Sequence, residues 1–389
     1  MWKRFAQTLR CPICEDNVEL SIFTHSRLSL TDEHRALAER RGLLDDNFSC
    51  YVEGGVLACH TCAAWYPVLR GLPVLLPYTT SLHEEFNREF AERLSQMPYH
   101  YRFPAQEWVP GERFVSDSFS TEWLNYSFDG VIWEMDYQNH ERRFLAELGP
   151  YRPMTEDGVF LEVGCGLGIT TYLAQKNFGV DAVGVDLSHA ALSATVRYRT
   201  NPFLHFVQGS VFYLPFAKQS FGTIYSRGVL HHTFSTREAF KSLVRYCKPG
   251  GATYLWVYGP GSTDDNAFRR VVFASEKTLR PVLSRRSSGP ISTIILTVLA
   301  LGYMGFNRVR RRTDSTVQPY NFRRALHAAR DRFTPEYAHR HDSREVTAWF
   351  QEADFRDVEI VDWRAMPSAD HDDYRRNTGV RGYKAQPHV

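Results

Sequence analysis

The sequence lacks several features that would indicate a specialised class of protein. No internal repeat and no block of low complexity occurs in its 389 residues, and the formal net charge is only +2 at pH 7. A charge this small does not by itself indicate a nucleic-acid partner. No apolar leader follows the basic start of the chain, which predicts a protein that is made and kept in the cytosol. The length is too great for one small core, so we expect two or three modules.

Cysteine is infrequent, but its distribution is informative. Four of the seven cysteines form two Cys-x-x-Cys pairs, Cys11 with Cys14 and Cys59 with Cys62. In the cytosol, such pairs favour metal binding over disulfide bonds. Each pair can present two thiolates to one tetrahedral Zn²⁺, and a closed site of four thiolates stabilises a fold without doing chemistry. Two reduced thiol pairs or a redox site are the alternatives.

A helix inserted between the two cysteine pairs explains the long distance between them. Residues 31–46 have the pattern of such a helix, and an apolar segment, residues 63–77, follows the second pair. This arrangement resembles the zinc ribbon of the small activator subunit of tRNA methyltransferases and its bacterial relatives. Cys50 and His60 are expected to be bystanders rather than ligands.

A glycine-rich turn between two apolar segments predicts a nucleoside pocket. Residues 159–163 form an apolar run of the length of a buried parallel strand. The turn after it contains three glycines, Gly164, Gly166 and Gly168. Glycine allows a sharp bend and the close approach of a ligand, and a helix over residues 169–178 would point its N-terminal amides at the same place. A second apolar strand ends at Asp186, whose carboxylate can bind two ribose hydroxyls.

The spacing of this turn differs from that of dinucleotide-binding proteins. Their fingerprint needs a third glycine where this chain has Ile169. Glu162 lies two positions before the first glycine, and its carboxylate would repel a pyrophosphate but suits a ligand with a cationic amino-acid end. The segment LEVGCGLG, followed by VGVDLS at the end of the second strand, resembles the class I S-adenosylmethionine-dependent methyltransferases.

The resemblance implies an α/β fold, a Rossmann-like, doubly wound sheet of seven strands. Later segments occur in the order that this family shows: an LHHT-like segment at residues 230–233, a KPGG turn at 248–251, and a final helix and strand over 342–363.

The resemblance also implies S-adenosylmethionine as cofactor and a set of residues that contact it. The expected contacts are Glu162, Gly164, Cys165, Gly166, Gly168, Asp186, Leu187, Ser210, Val211 and Arg227. Ser210 stands where the family usually has Asp, and its hydroxyl would accept a weaker hydrogen bond from the adenine amino group.

Side chains that follow the fourth and fifth strands are the candidates for catalysis. Methyl transfer from a sulfonium is an in-line displacement, so positioning supplies most of the catalysis. A hydroxyl acceptor would also need a base, and histidine has a suitable pKa. We favour His231 or His232 over Tyr258 as the catalytic residue. The alternative is that the histidines only pack beneath the cofactor.

Residues 264–335 have the composition of an insertion. Lys and Arg predominate there around an apolar run, residues 291–306, which is shorter than the about 20 residues of a membrane-crossing helix. A lid helix over the active site is the favoured interpretation. A contact of residues 285–312 with anionic headgroups at a membrane surface is the alternative.

The expected domain organisation follows from these segments. It comprises a zinc ribbon with a helical insert (1–78), a helical connector that covers the cofactor (79–150), the methyltransferase core (151–263 and 336–366), the basic and apolar lid (264–335) and a polar tail (367–389).

The sequence therefore predicts a cytoplasmic methyltransferase, in contact with the membrane surface if the insertion binds headgroups. Its substrate is expected to be a small-molecule or lipid-linked metabolite, modified for example at a sugar hydroxyl. An RNA methyltransferase is one alternative, because zinc ribbons precede such domains in some rRNA enzymes. Nucleic acid is the less favoured partner, since no Asn-Pro-Pro-Tyr-like motif follows the fourth strand. A non-catalytic scaffold that binds the cofactor is the other alternative.

Overall fold

The computed structural model describes residues 1–125, 131–132, 135–151, 158–260, 267–284, 289–312 and 319–386. Its strands are β1 (Glu19–Arg27), β2 (Cys50–Cys59), β3 (Ala64–Leu69), β4 (Leu72–Leu75), β5 (Val131–Ile132), β6 (Met135–Asp136), β7 (Val159–Val163), β8 (Asp181–Asp186), β9 (Leu204–Gly209), β10 (Phe221–Arg227), β11 (Cys247–Val257), β12 (Phe355–Ile360) and β13 (Thr378–Lys384). Its helices are α1 (Asp32–Arg40), α2 (Ser81–Ser95), α3 (Glu112–Asn125), α4 (Tyr137–Leu148), α5 (Ile169–Phe178), α6 (Ala190–Arg197), α7 (Thr236–Val244), α8 (Ala267–Ser284), α9 (Pro290–Arg310), α10 (Phe322–Phe333), α11 (Ser343–Glu352) and α12 (His371–Tyr374).

Seven strands form the predicted Rossmann-like sheet, in the order β9-β8-β7-β10-β11-β13-β12. The pairs from β9 to β11 are parallel, whereas β13 runs antiparallel to both of its neighbours. The α/β class and the seven-stranded, doubly wound arrangement are thus confirmed, with one antiparallel strand that makes the sheet mixed. The order reverses beside β7, and in open α/β sheets ligands bind at such a switch point, beyond the carboxyl ends of the strands.

Both faces of the sheet are covered, because its strands carry apolar side chains in alternating directions. Leu161 and Val183 belong to one core cluster, together with Phe240 of α7 and Phe350 of α11. The neighbouring positions, Phe160 and Ala182, belong to a second cluster on the opposite face, which includes residues of α4, α5 and α6. The near-continuous apolar runs of these strands therefore reflect burial on both sides.

The N-terminal strands extend this sheet. β1 to β4 form antiparallel pairs, and β4 then pairs in parallel with β9, so that an 11-stranded sheet results among the described residues. β4 is buried along its whole length, and it needs a partner on each edge to satisfy its backbone groups. The guanidinium of Arg4 also pairs with Asp181 at the start of β8. The helix expected within residues 31–46 is α1.

The structure corrects the expectation that residues 367–389 form a polar tail. Residues 378–384 form β13, which lies between β11 and β12 in the sheet. The segment has few large apolar residues because its neighbours fill the space. A Cβ at Gly379 would lie 3.1 Å from the Tyr374 ring and 3.3 Å from the Tyr254 hydroxyl. Val380 is nevertheless fully buried in the core. A strand whose space is filled by its neighbours gives only a weak hydrophobic pattern.

The insertion is helical and has a small core of its own. α8, α9 and α10 pack around Leu283, Leu296, Ala329 and Phe333. Within the part of the chain that the structure describes, α9 is the one helix long and apolar enough, by length and composition, to cross a membrane. Arg285 and Arg286, which the sequence placed at the start of the candidate membrane contact, lie outside the described residues.

Candidate active site

A cavity of about 250 Å³ lies at the carboxyl ends of the central strands. Its floor comes from the residues that follow β7, β8, β9, β10 and β11, and α3 and α10 contribute walls from outside the sheet. Parallel strands bring their carboxyl ends to one edge, which explains why segments distant in sequence meet here.

The glycine turn has the geometry that the sequence predicts. Gly164, Gly166 and Gly168 all have positive φ, between 50° and 78°. A Cβ at Gly164 would clash with the side chain of Val229, so the position requires glycine. Gly164 and Gly166 line the cavity, whereas Gly168 caps the start of α5 behind it.

Asp186 ends β8 and lies in the cavity wall. Its Oδ2 accepts a hydrogen bond of 2.8 Å from the Gly166 N–H, and its Oδ1 accepts bonds of 2.8 Å and 2.6 Å from the Ser188 N–H and hydroxyl. Burial raises the pKa of this carboxyl. A carboxylate has about four acceptor positions, so capacity remains for a hydroxyl of a ligand.

Glu162 lies beside Asp186, at the end of β7. It accepts a hydrogen bond of 2.5 Å from the Thr171 hydroxyl and lines the same cavity. Burial raises the pKa of Glu162 to about 8, and the nearby Asp186 carboxylate adds to this shift. A buried carboxyl of this kind is neutral at pH 7 until a cation approaches it.

Ser210 does not line the cavity, contrary to the position expected for an adenine contact. Its hydroxyl donates a hydrogen bond of 2.5 Å to Glu112 Oε1, and it is that glutamate which faces the cavity. Tyr78 donates to the other oxygen of Glu112, and burial raises the pKa of Glu112 to about 7. A carboxyl from α3, hydrogen-bonded to Ser210, thus faces the cavity where the sequence led us to expect residue 210 itself. The sequence offered no signal for it, since Glu112 lies far from every motif.

The remaining expected cofactor contacts differ in the kind of contact that they can make with a ligand. Cys165, Leu187 and Val211 line the cavity and give it apolar walls. Arg227 also lines it, but its guanidinium binds Glu147 at 2.8 Å and Asp373 at 2.6 Å. Arg227 therefore shapes the wall while its charge is neutralised by protein carboxylates.

The three predicted catalytic residues lie together but are not equivalent. His231 is fully buried and stacks on the Tyr258 ring at 3.9 Å, outside the lining of the cavity. His232 and Tyr258 both line it. The Tyr258 hydroxyl donates a hydrogen bond to Asp331, and burial raises its pKa well above the usual value. Tyr258 is thus a donor at neutral pH.

His232 has the geometry of a base. Its Nδ1 lies 2.7 Å from the Tyr337 carbonyl oxygen, which can only accept, so we assign the ring proton to Nδ1. Its Nε2 then carries a lone pair and has no hydrogen-bond partner among the described residues, although the residue is only 2% exposed. Burial lowers the pKa of His232, which keeps the ring neutral at pH 7.

Asp331 is a second residue that sequence reasoning missed. It lies on α10, and its Oδ1 is 3.9 Å from His232 Nε2. Ser118 of α3 and Thr334, at the end of α10, are joined by a hydrogen bond of 2.6 Å, which holds the two walls together. The one available signal was that Asp331 is an acid in a segment where Lys and Arg predominate.

The four predicted metal ligands form a separate cluster near the N-terminus. The sulfurs of Cys11, Cys14, Cys59 and Cys62 all lie within 4.8 Å of one another. Cys11 and Cys62 are 3.8 Å apart, and Cys14 and Cys59 are 3.5 Å apart. A tetrahedron with Zn–S bonds of about 2.3 Å has edges of about 3.8 Å, so the cluster has suitable dimensions for zinc.

Cys50 and His60 lie outside this cluster. His60 Nε2 instead contacts Glu19 at 2.6 Å, and its Nδ1 contacts the Tyr101 hydroxyl at 2.9 Å.

Part of this sequence is similar to known methyltransferases. Residues 161–255 match the family model described as "Methyltransferase domain". The ubiquinone/menaquinone biosynthesis C-methyltransferase UbiE of Legionella pneumophila (strain Corby) is 25% identical over 158 residues, which are 39% of this chain and 62% of that protein. Phosphoethanolamine N-methyltransferase 2 of Caenorhabditis elegans is 24% identical over 152 residues, 36% of this chain and 34% of that protein.

Among solved structures, phosphoethanolamine N-methyltransferase 2 of Haemonchus contortus, in complex with phosphomonomethylethanolamine and S-adenosylhomocysteine, matches with a TM-score of 0.42 and 17% identity. The match covers 73% of this chain and 62% of that one. This chain spans less than two thirds of the length of the curated relatives named above. The segment from residue 161 to residue 255 thus matches a methyltransferase domain in sequence, and it contributes strands β7 to β11 to the Rossmann-like sheet.

Proposed function

We propose that the protein transfers a methyl group from S-adenosylmethionine to a hydroxyl of a small molecule. The observation that carries this proposal is the convergence of buried carboxyl groups on one cavity, among them Glu112, Glu162 and Asp186. S-adenosylmethionine presents hydrogen-bond donors and positive charge along its length, and such a donor set matches these acceptors. When bound, it supplies an electrophilic methyl group on a cationic sulfur.

Each carboxyl group has a distinct role in this proposal. Asp186 would accept hydrogen bonds from the ribose hydroxyls, as acidic residues at this strand end can do. Glu112, beside the apolar wall of Val211, would accept from the adenine amino group. Glu162 would face the amino-acid end, where a cationic group lowers the pKa of a carboxyl and stabilises its ionised form.

His232 would remove the proton from the acceptor hydroxyl. His232 lines the cavity, and its Nε2 carries the lone pair, whereas Nδ1 is fixed by the Tyr337 carbonyl. As Nε2 takes the proton, the ring becomes cationic, and the Asp331 carboxylate 3.9 Å away stabilises that charge. The bound cofactor would supply the methyl group to that oxygen and keep the bonding electrons on its sulfur, while His232 would take the proton that the oxygen releases. The walls from α3 and α10 hold the acceptor in line.

A small acceptor fits this site better than RNA. The cavity is lined by Phe119 of α3 and Asp331 of α10 as well as by the strand ends, so these two helices bound the space that a polynucleotide would have to share. The exposed face of α9 is mostly aliphatic and its exposed arginines lie only at the C-terminal end, whereas a polynucleotide would need cations along the whole face.

Cofactor binding tests the proposal first. Isothermal titration with S-adenosylmethionine and S-adenosylhomocysteine should show one site per chain. Asp186→Ala should weaken binding by at least about tenfold, since it removes the charged acceptor for the ribose. Glu107→Ala, at an exposed carboxylate outside the cavity, is the matched control and should bind like the wild type. Folded protein that binds neither compound would contradict the proposal.

Binding should also depend on pH through Glu162. In the protein without ligand, the Glu162 carboxyl has a pKa of about 8 and is therefore protonated at pH 7. It must ionise to pair with a cationic ligand. Binding therefore releases a proton below pH 8, and affinity should rise up to about tenfold per pH unit toward pH 8 and then level off. Titrations in buffers of different ionisation enthalpy measure the released proton directly. Glu162→Gln should abolish this dependence; an unchanged profile in that variant would assign the proton elsewhere.

His232→Asn should separate binding from catalysis. The Asn amide can still donate to the Tyr337 carbonyl, but it offers no base in place of Nε2. We expect kcat to fall by about 10²- to 10⁴-fold while the affinity for S-adenosylmethionine is unchanged. His231→Gln should retain turnover within a few fold. The assay is transfer of labelled methyl to the best acceptor from a panel of hydroxylated small molecules. If kcat falls equally in His232→Asn and His231→Gln, His232 has a packing role and is not the base.

We also propose that the cysteine cluster holds one structural Zn²⁺. The distances between the four sulfurs support this, and the sheet that carries the cluster is continuous with the central sheet. Elemental analysis should find one zinc per chain, and Cys59→Ser should lower both the zinc content and the melting temperature. Cys50→Ser is the control and should retain the metal. Protein that is free of zinc yet melts at the same temperature would refute a structural role.

A further inference from the structure

We propose that α9 docks the protein flat on the surface of an anionic lipid bilayer. The proposal concerns a surface that methyl transfer does not use, so a test of lipid binding is independent of a test of methyl transfer. We call this surface the α9 stripe and define it by its five exposed aliphatic residues: Ile291, Ile294, Val298, Leu301 and Val309.

The α9 stripe lies along one face of the helix. Its residues follow one another at intervals of three or four, or twice four, which places them in one line on an α-helix. Their side chains are between 56% and 64% exposed. Gly302 and Gly305 continue the same face, and a Cβ at either would meet no atom within 4 Å. Among the described residues, nothing covers this face.

The opposite face of α9 anchors the helix to the rest of the protein. Leu296 and Ala300 are fully buried, and Leu296 packs with Phe333 of α10. α10 also carries Asp331 into the wall of the cavity. A helix that crossed the bilayer would lose these contacts, so the arrangement favours a helix that lies in the interface with only the stripe immersed.

The positive charge beside the α9 stripe favours an anionic lipid surface as the partner. Arg308, Arg311 and Arg312 are exposed at the C-terminal end of the stripe, and residues 290–312 contain neither Asp nor Glu. Arg310 is turned away to Asp372, at 3.0 Å. Each arginine near an anionic surface strengthens binding by about fivefold, and aliphatic side chains beside such a cluster are typical of interfacial helices.

The size of the α9 stripe argues against a second copy of the chain as its partner. At about 1.5 Å per residue and about 10 Å across, a stripe from residue 291 to 309 covers roughly 270 Å². A standard protein interface takes about 800 Å² from each side. Two copies would also bring their arginine clusters against a surface that has no acidic residue.

Vesicle flotation with the full chain tests the proposal. The wild type should float with phosphatidylcholine vesicles that contain phosphatidylglycerol and far less with phosphatidylcholine alone, and high salt should weaken the binding. The variant Ile294→Ser/Val298→Ser/Leu301→Ser should bind at least about tenfold more weakly, because it removes the immersed area. Replacing Arg308, Arg311 and Arg312 with Gln should remove the preference for anionic lipid.

Val196→Ser/Ile360→Ser is the matched control. Both residues are 52% exposed and lie on α6 and β12, away from α9, so this variant should float like the wild type. Melting temperatures show whether each variant is folded. The proposal is overturned if the wild type binds no anionic vesicles, or if the triple serine variant binds as well as the wild type. A wild-type dimer in light scattering that the serine variant loses would show that a second copy covers the stripe, and would overturn it equally.

Discussion

The hydrogen bond from the Gly166 N–H to Asp186 joins the ends of two parallel strands, and the site depends on it. It fixes the turn after β7 against the end of β8, and the bond can form only because glycine adopts the positive φ of 50° at residue 166. Once these two strand ends are held, the neighbouring strands in the parallel sheet deliver their own loops to the same edge. Glu162, Asp186 and His232 therefore meet, although they come from three different strand ends.

Burial gives these groups their chemistry. A carboxyl group taken out of water without a cation is costly to ionise, and the pKa values of Glu162, Glu112 and Asp186 are all raised for this reason. Three such groups in one cavity form a site that a cationic ligand rich in hydrogen-bond donors would stabilise. The same burial acts in the opposite direction on His232 and keeps its ring neutral, the form that can accept a proton.

Local patterns in the sequence were enough to predict the part of the site that is local in sequence. The strand over residues 159–163, the glycine turn and Asp186 lie within one short stretch, and their order alone defines the βαβ unit. The clustering of the four cysteines was predicted in the same way, because each Cys-x-x-Cys segment holds two sulfurs close together. Glu112 and Asp331 were not predictable, since each reaches the cavity through packing of a helix that no motif marks. β13 was missed because Gly379 fits beside large tyrosines where a sequence pattern would require an apolar residue.

The helices of the insertion connect the wall of the cavity with the α9 stripe. α10 presents Asp331 to the cavity on one side and packs against α9 on the other, so it lies between the cavity and the helix that carries the α9 stripe. The central sheet and α3 supply Glu162, Asp186 and Glu112 to the cavity, whereas α10, which supplies Asp331, rests on the small core that it shares with α8 and α9.

The central claim is that one cavity holds the cofactor between Glu112 and His232. A crystal structure of the complex with S-adenosylhomocysteine tests it most directly. We predict the adenine amino group at Glu112, the ribose hydroxyls on Asp186 and the sulfur on the side of His232 Nε2. Adenine bound away from Glu112, or a sulfur that faces away from His232, would contradict the account.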